Sequence, residues 1–281
     1  MAVPTRWKRE AFLNLFVSPF FMGLEAVLLS MMISVSPINS QLRRIKYRLI
    51  RELPDKKQEI IKAFKDPKVK HLVRNLNRTR KVRKKYRRYT LEDYVRKHPA
   101  FSHFNRGIEF LEEYEEVFMD VERKYKVSRY DIAAIIGIES LWGSKCGKYH
   151  VLPQAIIYYM SQTKRKKKEE WFNHIKAIFE FDIDYLSPSS FAAAVGLPQF
   201  LPSSLYLWVD INNNGKPDFF DPVESIYSVA NYLVTHGYEY NRDKAFYCYN
   251  HSRAYVQAVK LLADILKGLQ ANLNPRTKSS V

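Results

Sequence analysis

The stretch Ser190-Phe191-Ala192-Ala193-Ala194-Val195-Gly196-Leu197-Pro198-Gln199-Phe200-Leu201-Pro202-Ser203-Ser204 restricts the fold more than any other. One Gly, two Pro and paired Ser interrupt an apolar run, so the run cannot continue as one helix. A segment this apolar must still be buried. Its few polar groups, chiefly Gln199 and the Ser hydroxyls, must then find partners or face a cleft. A kinked core helix ending at Pro198 is the plain alternative for the stretch taken alone.

A chain of 281 residues holds one large domain or two modest ones. Its 46% hydrophobic and 14% aromatic content is that of a folding sequence. The net charge of +17 is concentrated: residues 43–88 carry 20 Lys and Arg against 4 acids, which leaves the rest nearly neutral. That segment reads as surface helices, or as a contact for anionic membrane or anionic wall polymer. Nucleic acid is disfavoured as a partner, because the charge stops before residue 90. Cys146 and Cys248 lack ligand-spaced neighbours, which argues against structural zinc and leaves open a disulfide or two separate thiols.

Arg6, Lys8 and Arg9 precede an apolar run from Ala11 to about Ser36, the pattern of a signal or membrane-anchor segment over residues 1–36. Glu25 blemishes it as a membrane helix, and the positive charge that follows opposes transfer of that flank. Residues 37–90 predict basic helices broken at Pro54 and Pro67. Residues 91–270 form the main domain, and 271–281 a C-terminal tail. Ile108, Leu111, Tyr114, Phe118 and Val121 predict a helical run from Phe104 to Lys126. Ser128 and Asp131 resemble a capping box opening the next helix, which carries Ile132, Ile135, Ile136 and Glu139 and ends near Gly143. Helices are also predicted over Val151–Met160 and Glu169–Phe181, with Lys164–Lys168 as a solvated loop between them. Leu207–Phe220 suggests a short hairpin around Gly215. With no period-two alternation, the class is mainly α.

Glu139 is a carboxylate near the end of an apolar helix. Such a group pairs with a base, caps something, or is kept protonated by desolvation, which a general acid near neutral pH requires. Asp210-x-Asn212-x-Asn214-Gly215-Lys216 places oxygen ligands at alternate positions with Gly at the sixth, as in the start of an EF-hand loop. Asp221 would stand at its twelfth position. A plain Asn-Gly turn is the alternative.

In this order and spacing, Gly137-Ile138-Glu139-Ser140, the 190–204 stretch, Val209–Asp218, Ser228–Leu233 and Tyr249-Asn250-His251-Ser252 resemble the lytic murein transglycosylase B family over roughly residues 105–268. The resemblance implies a mainly α fold, with a lysozyme-like core, an additional helical region and a small loop or hairpin insertion. It implies a peptidoglycan lytic transglycosylase with Glu139 as single acid/base and no catalytic cofactor. Such an enzyme cuts the β-1,4 bond between N-acetylmuramic acid and N-acetylglucosamine and leaves 1,6-anhydromuramyl ends. Ser190, Gln199, Phe200, Tyr232, Tyr249, Asn250 and Tyr255 would bind the glycan strand. Asp210, Asn212, Asn214, Lys216 and Glu224 would hold a structural calcium, Glu224 being the ligand of the family's longer loop. A monomer in the bacterial cell envelope follows, on the periplasmic side, exported or anchored.

A hydrolytic muramidase on the same scaffold, or a non-catalytic peptidoglycan-binding scaffold, are the rival readings. Where the family has Ser-Tyr-Ala-Gly-Ala-Met-Gly, this chain has Ser190-Phe191-Ala192-Ala193-Ala194-Val195-Gly196. Ala193 loses the freedom of Gly, and Val195 is stiffer and smaller than Met.

Overall fold

A computed structural model describes residues 38–75 and 89–273. The predicted signal or anchor segment, the cluster from Lys81 to Arg88 and the tail from residue 274 lie outside them. The chain divides into two compact units, Met1–Pro54 and Asp55–Val281. In the first, the described residues form helix α1 over 38–52, braced by an Arg48–Glu52 pair at 2.8 Å.

The second unit contains two groups of helices. The first group is α2 (Lys57–Lys65), α3 (Pro67–Arg74), α9 (Val151–Ser161) and α10 (Arg165–Glu180). Here α9 packs on α10 and on α3, and α2 packs on α3. Pro67 opens α3 at its first position, where no N–H is needed, and Asp66 accepts from Lys68 N at 2.7 Å. Lys164–Lys168 differs from the expected loop: Arg165 to Lys168 form the first turn of α10, with Lys167 paired to Glu170 at 2.7 Å and the Lys168 ammonium over the Tyr159 ring.

The second group is α4 (Leu91–Lys97), α5 (Pro99–Ser102), α6 (Phe104–Glu113), α7 (Glu115–Tyr125), α8 (Arg129–Ser140), α11 (Pro222–Thr235), α12 (Arg242–Tyr249) and α13 (Arg253–Leu273). A capping box starts α4, with Thr90 and Asp93 each accepting the other's backbone N–H at 3.1 Å. The run expected from Phe104 to Lys126 is two helices, broken at Tyr114 (φ −110°, ψ 29°). The break lets α6 pack on α8 and α13 while α7 packs on α11 and α8.

Helix α8 is buried on every side from Asp131 to Ile138, as expected of a helix apolar all round. Its start departs from the capping-box reading. The Ser128 side chain makes no cap bond, and Asp131 turns to Tyr238 and to Arg242 Nε, the latter at 2.7 Å. A carboxylate with 1% exposure needs a cation more than a free N–H needs a cap.

Between Ser187 and Leu201 the chain forms a compact irregular segment. Strand β1 (Tyr149–His150) pairs antiparallel with β2 (Pro188–Ser189), and bridges link Ser189 to Val195 and Val195 to Phe200. The expected hairpin at Leu207–Phe220 is instead a 3-10 turn over Pro202–Leu207 followed by a loop, held by side-chain oxygens rather than strand pairing.

Candidate active site

Glu139 lies in the last turn of α8, whose end is fixed unusually tightly. Leu141 and Trp142 both adopt the left-handed conformation, with φ of 53° and 51°. That conformation costs roughly 1–2 kcal/mol for each non-Gly residue. It is offset by Trp142, whose indole folds back and donates to Ala133 O at 2.8 Å. The ring occupies a notch made by two glycines: a Cβ would fall 2.5 Å from it at Gly137 and 2.6 Å at Gly107. The helix therefore stops at Ser140, short of the Gly143 expected from sequence.

The Glu139 carboxyl is surrounded by protein yet keeps some exposure. Burial pushes its pKa up to about 7, against a hydrogen bond from Tyr255 Oη at 2.8 Å that pulls it down. Burial and Tyr255 account for the shift, with no contribution from another carboxylate among the described residues. Near neutral pH such a group both holds and releases a proton. Asp182 and Asp184 are exposed, the first paired with Lys56 and the second accepting from Leu186 N at 2.9 Å.

The aromatic residues named from sequence form one cluster beside this acid. Tyr255 is buried on α13 and stacks with Tyr249, centroids 6.3 Å apart. Both phenols are held well above their usual pKa by burial and then by the Glu139 charge. Tyr249 ends α12 and donates to Pro198 O at 2.6 Å, which ties α12 to the irregular segment. Tyr232 and Phe200 stand behind it, at 4.8 Å and 5.8 Å between centroids. Both are buried, and the Tyr232 hydroxyl is engaged by Cys248 O at 3.0 Å, so they pack the wall.

Gln199 has a left-handed backbone (φ 51°), and its amide nitrogen donates to Gly196 O at 2.7 Å and Cys146 O at 3.2 Å. Flipping the amide would set oxygen against two carbonyls, so its orientation is fixed and Oε1 is left as an acceptor. Ser190 Oγ accepts from Ala192 N and Ala194 N at 3.2 and 3.1 Å, leaving its proton to donate elsewhere. Asn250 is exposed just after α12. Cys146 and Cys248 are separate thiols.

Two further residues escaped the sequence reading. Tyr94 on α4 is buried near Glu139, and burial together with that charge pushes its phenol up to about 12. His98 accepts from Ala100 N at 3.3 Å through Nδ1 and is bonded by its ring to the Ile138 carbonyl, one residue before the acid. Burial lowers its pKa. The capping box at Thr90 was the available signal for a helix here; nothing in the spacing shows which helix it meets.

In the 210–224 loop, Asp210 accepts from Asn214 N and Gly215 N at 3.3 and 2.7 Å, and Asn214 Oδ1 from Lys216 N at 2.8 Å. Asp221, the twelfth-position candidate, is spent capping α11 through Glu224 N at 2.7 Å. Glu224 is buried, and its oxygens accept from Asn212 Nδ2, Trp208 Nε1 and Asp218 N at 2.8–2.9 Å, with no cationic side chain among them. Among the described residues no group of three or more His, Cys, Asp or Glu could hold a metal ion. Asp210, Asn212, Asn214 and Glu224 are oxygen donors of the kind calcium takes, but here their oxygens accept from neighbouring N–H groups, and Asn212 meets Glu224 through its amide nitrogen.

A model of the transglycosylase SLT domain family matches residues 50–248. The chain belongs to that family. It is 33% identical over 139 residues to membrane-bound lytic murein transglycosylase B of Escherichia coli (strain K12), a match covering 47% of this chain and 38% of that protein. The matched region thus spans well under half the length of this curated relative. Soluble lytic transglycosylase SltB1 from Pseudomonas aeruginosa shares the fold, with a TM-score of 0.70 at 20% identity over 82% of this chain and 99% of that one. Escherichia coli lytic transglycosylase Slt35, solved in complex with calcium, gives a TM-score of 0.66 at 19% identity, covering 82% and 94%. SltB3 from Pseudomonas aeruginosa, solved in complex with NAG-NAM-pentapeptide, gives 0.65 at 19%, covering 81% and 80%. The mainly α, lysozyme-like architecture expected from sequence is the one observed. Among the described residues, no helix is long and apolar enough to cross a membrane.

Proposed function

We propose that this protein is a lytic transglycosylase that cleaves peptidoglycan between N-acetylmuramic acid and N-acetylglucosamine without consuming water. The observation that carries the reading is the desolvated Glu139 carboxyl in the last turn of α8, hydrogen-bonded by Tyr255 Oη at 2.8 Å and with its pKa near 7. Protonated, it donates to the glycosidic oxygen. As a carboxylate, steadied by the Tyr255 hydroxyl, it then takes the proton from the muramyl C6 hydroxyl, which closes on C1 to give the 1,6-anhydro ring. A hydrolase of the usual type needs a second carboxylate across the bond, and among the described residues no other carboxylate contributes to the shift of Glu139. Ser190, Gln199 and Asn250 supply hydrogen bonds to the acetamido and hydroxyl groups. Tyr249 and Tyr255 form the wall opposite the acid, backed by Tyr232 and Phe200.

Calcium, held by Asp210, Asn212, Asn214, the Lys216 carbonyl and Glu224, would brace the loop that runs from Trp208 to Phe219, whose carbonyl accepts from Leu197 N at 3.0 Å. Adding calcium to chelator-treated protein should then raise Tm, and Glu224→Gln should abolish the rise. Outside catalysis, the basic residues 43–88 would rest on anionic membrane or wall polymer, with the enzyme on the periplasmic face of the envelope, exported or anchored by residues 1–36, as a monomer.

Digestion of purified sacculi beside a Glu139→Gln control, read by mass spectrometry, tests the assignment. Anhydromuramyl ends that vanish in the control are expected. Reducing ends would move the protein to the muramidases, and no products from a folded protein would leave a binding scaffold.

A further inference from the structure

A cavity of about 430 Å³, separate from the Glu139 site, opens between α2, the turn after α10 and the 210–218 loop. Its volume is that of a ligand pocket. Its walls carry Lys56, Glu59, Lys62, Asp182, Asp184 and Lys216. Lys56 and Asp182 neutralise each other as an ion pair. Lys62 and Lys216 form no ion pair among the described residues. Glu59 reaches Lys56 only at 4.0 Å, and Asp184 accepts only from a backbone N–H, so both carboxylates keep capacity. The floor is apolar, made by the buried Phe179 and Ile183 beside Tyr185.

Two ammonium groups and two carboxylates over a small apolar floor disfavour a simple anion and a simple cation alike. They complement a ligand that bears an amine, a carboxylate and short aliphatic groups together, which is the chemistry of a zwitterionic peptide. The cavity is also within reach of the cleft. Tyr185 precedes Ser190 by five residues, so the two lie no more than about 17 Å apart. Lys216 stands three residues before Phe219, whose carbonyl is bonded to Leu197 of the cleft segment.

We propose that this cavity binds the peptide arm of the glycan strand cut at Glu139, with Lys62 and Lys216 on its carboxylates and Glu59 and Asp184 on its amine. This deepens the reading given above and rests on it. The pocket makes peptide-bearing strands the preferred substrate through KM, since it touches no reacting atom.

The test compares wild type, Lys62→Glu and Lys62→Arg on strands with intact peptide arms and on the same strands stripped by an amidase. Lys62→Glu should raise KM about tenfold on peptide-bearing strands, leave stripped strands unchanged, and be largely rescued by Lys62→Arg. Equal effects on both substrates, or none on either, would overturn the proposal. If wild type cuts neither substrate, it is the transglycosylase reading that has failed. NMR titration with a free pentapeptide carrying a side-chain amine and a C-terminal carboxylate then decides the pocket. Shifts at residues 56–62 and 182–185 that Lys62→Glu abolishes support it, and their absence refutes it.

Discussion

Replacing Glu139 by Gln should abolish cleavage and at the same time stabilise the protein, by an amount that grows as pH rises from 4.5 to about 7 and then levels off. The carboxyl titrates at about 7 in the fold against an ordinary 4.5. Between those values the folded state holds the proton more tightly than the unfolded chain, so stability falls as pH rises through that window. Each pH unit of displacement is worth about 1.4 kcal/mol, which gives a loss of roughly 2–3 kcal/mol between pH 5 and pH 8. Gln keeps the shape and carries no charge to desolvate, so the variant escapes that loss. In a domain of this size 1 kcal/mol moves Tm by about 2–4 °C. Differential scanning calorimetry should therefore show Tm of Glu139→Gln exceeding wild type by roughly 5–10 °C at pH 8 and by little at pH 5. Equal differences at both pH values, or destabilisation at pH 8, would refute a desolvated acid at this position.

Other consequences follow from the same geometry. Tyr255→Phe removes the hydrogen bond that favours the Glu139 carboxylate, so the alkaline limb of the pH–rate profile should move up by about one unit; a downward shift would contradict the assigned donor. Gly137→Ala drives a methyl group into the Trp142 ring and should cost about 2–3 kcal/mol in urea denaturation, with kcat falling more than KM as the last turn of α8 shifts. Ala193→Gly should stabilise by about 1 kcal/mol, because Ala193 is held at φ 63°, where a Cβ is unfavourable.

That last position shows how the sequence and the structure inform each other. The departure at Ala193 was visible as a missing Gly, but only the backbone shows that the chain keeps the glycine conformation without the glycine. Glu139 was legible because a carboxylate in an apolar helical run is conspicuous. The clustering of Phe200, Tyr232, Tyr249 and Tyr255 beside Glu139 was expected only through family order, since they come from the irregular segment, α11, α12 and α13, far apart in the chain. What stayed hidden depends on which helices meet. Asp131 looked like a cap because Arg242 is 111 residues away. Tyr94 lies on a short helix and His98 at the junction of two, so their approach to the acid leaves no periodic signal, and the mixed-charge cavity joins three distant segments. The break at Tyr114 was masked because its apolar residues keep helical spacing across it.

The central claim is that one carboxyl does both proton transfers and no water enters the product. Cleavage of purified glycan strands in H₂¹⁸O tests it most directly. The expected muramyl product carries no ¹⁸O and is lighter than the hydrolysis product by one water, and the reaction is lost in Glu139→Gln. Incorporation of one ¹⁸O at the new muramyl end would contradict the account and place water, not the C6 hydroxyl, at the reacting carbon.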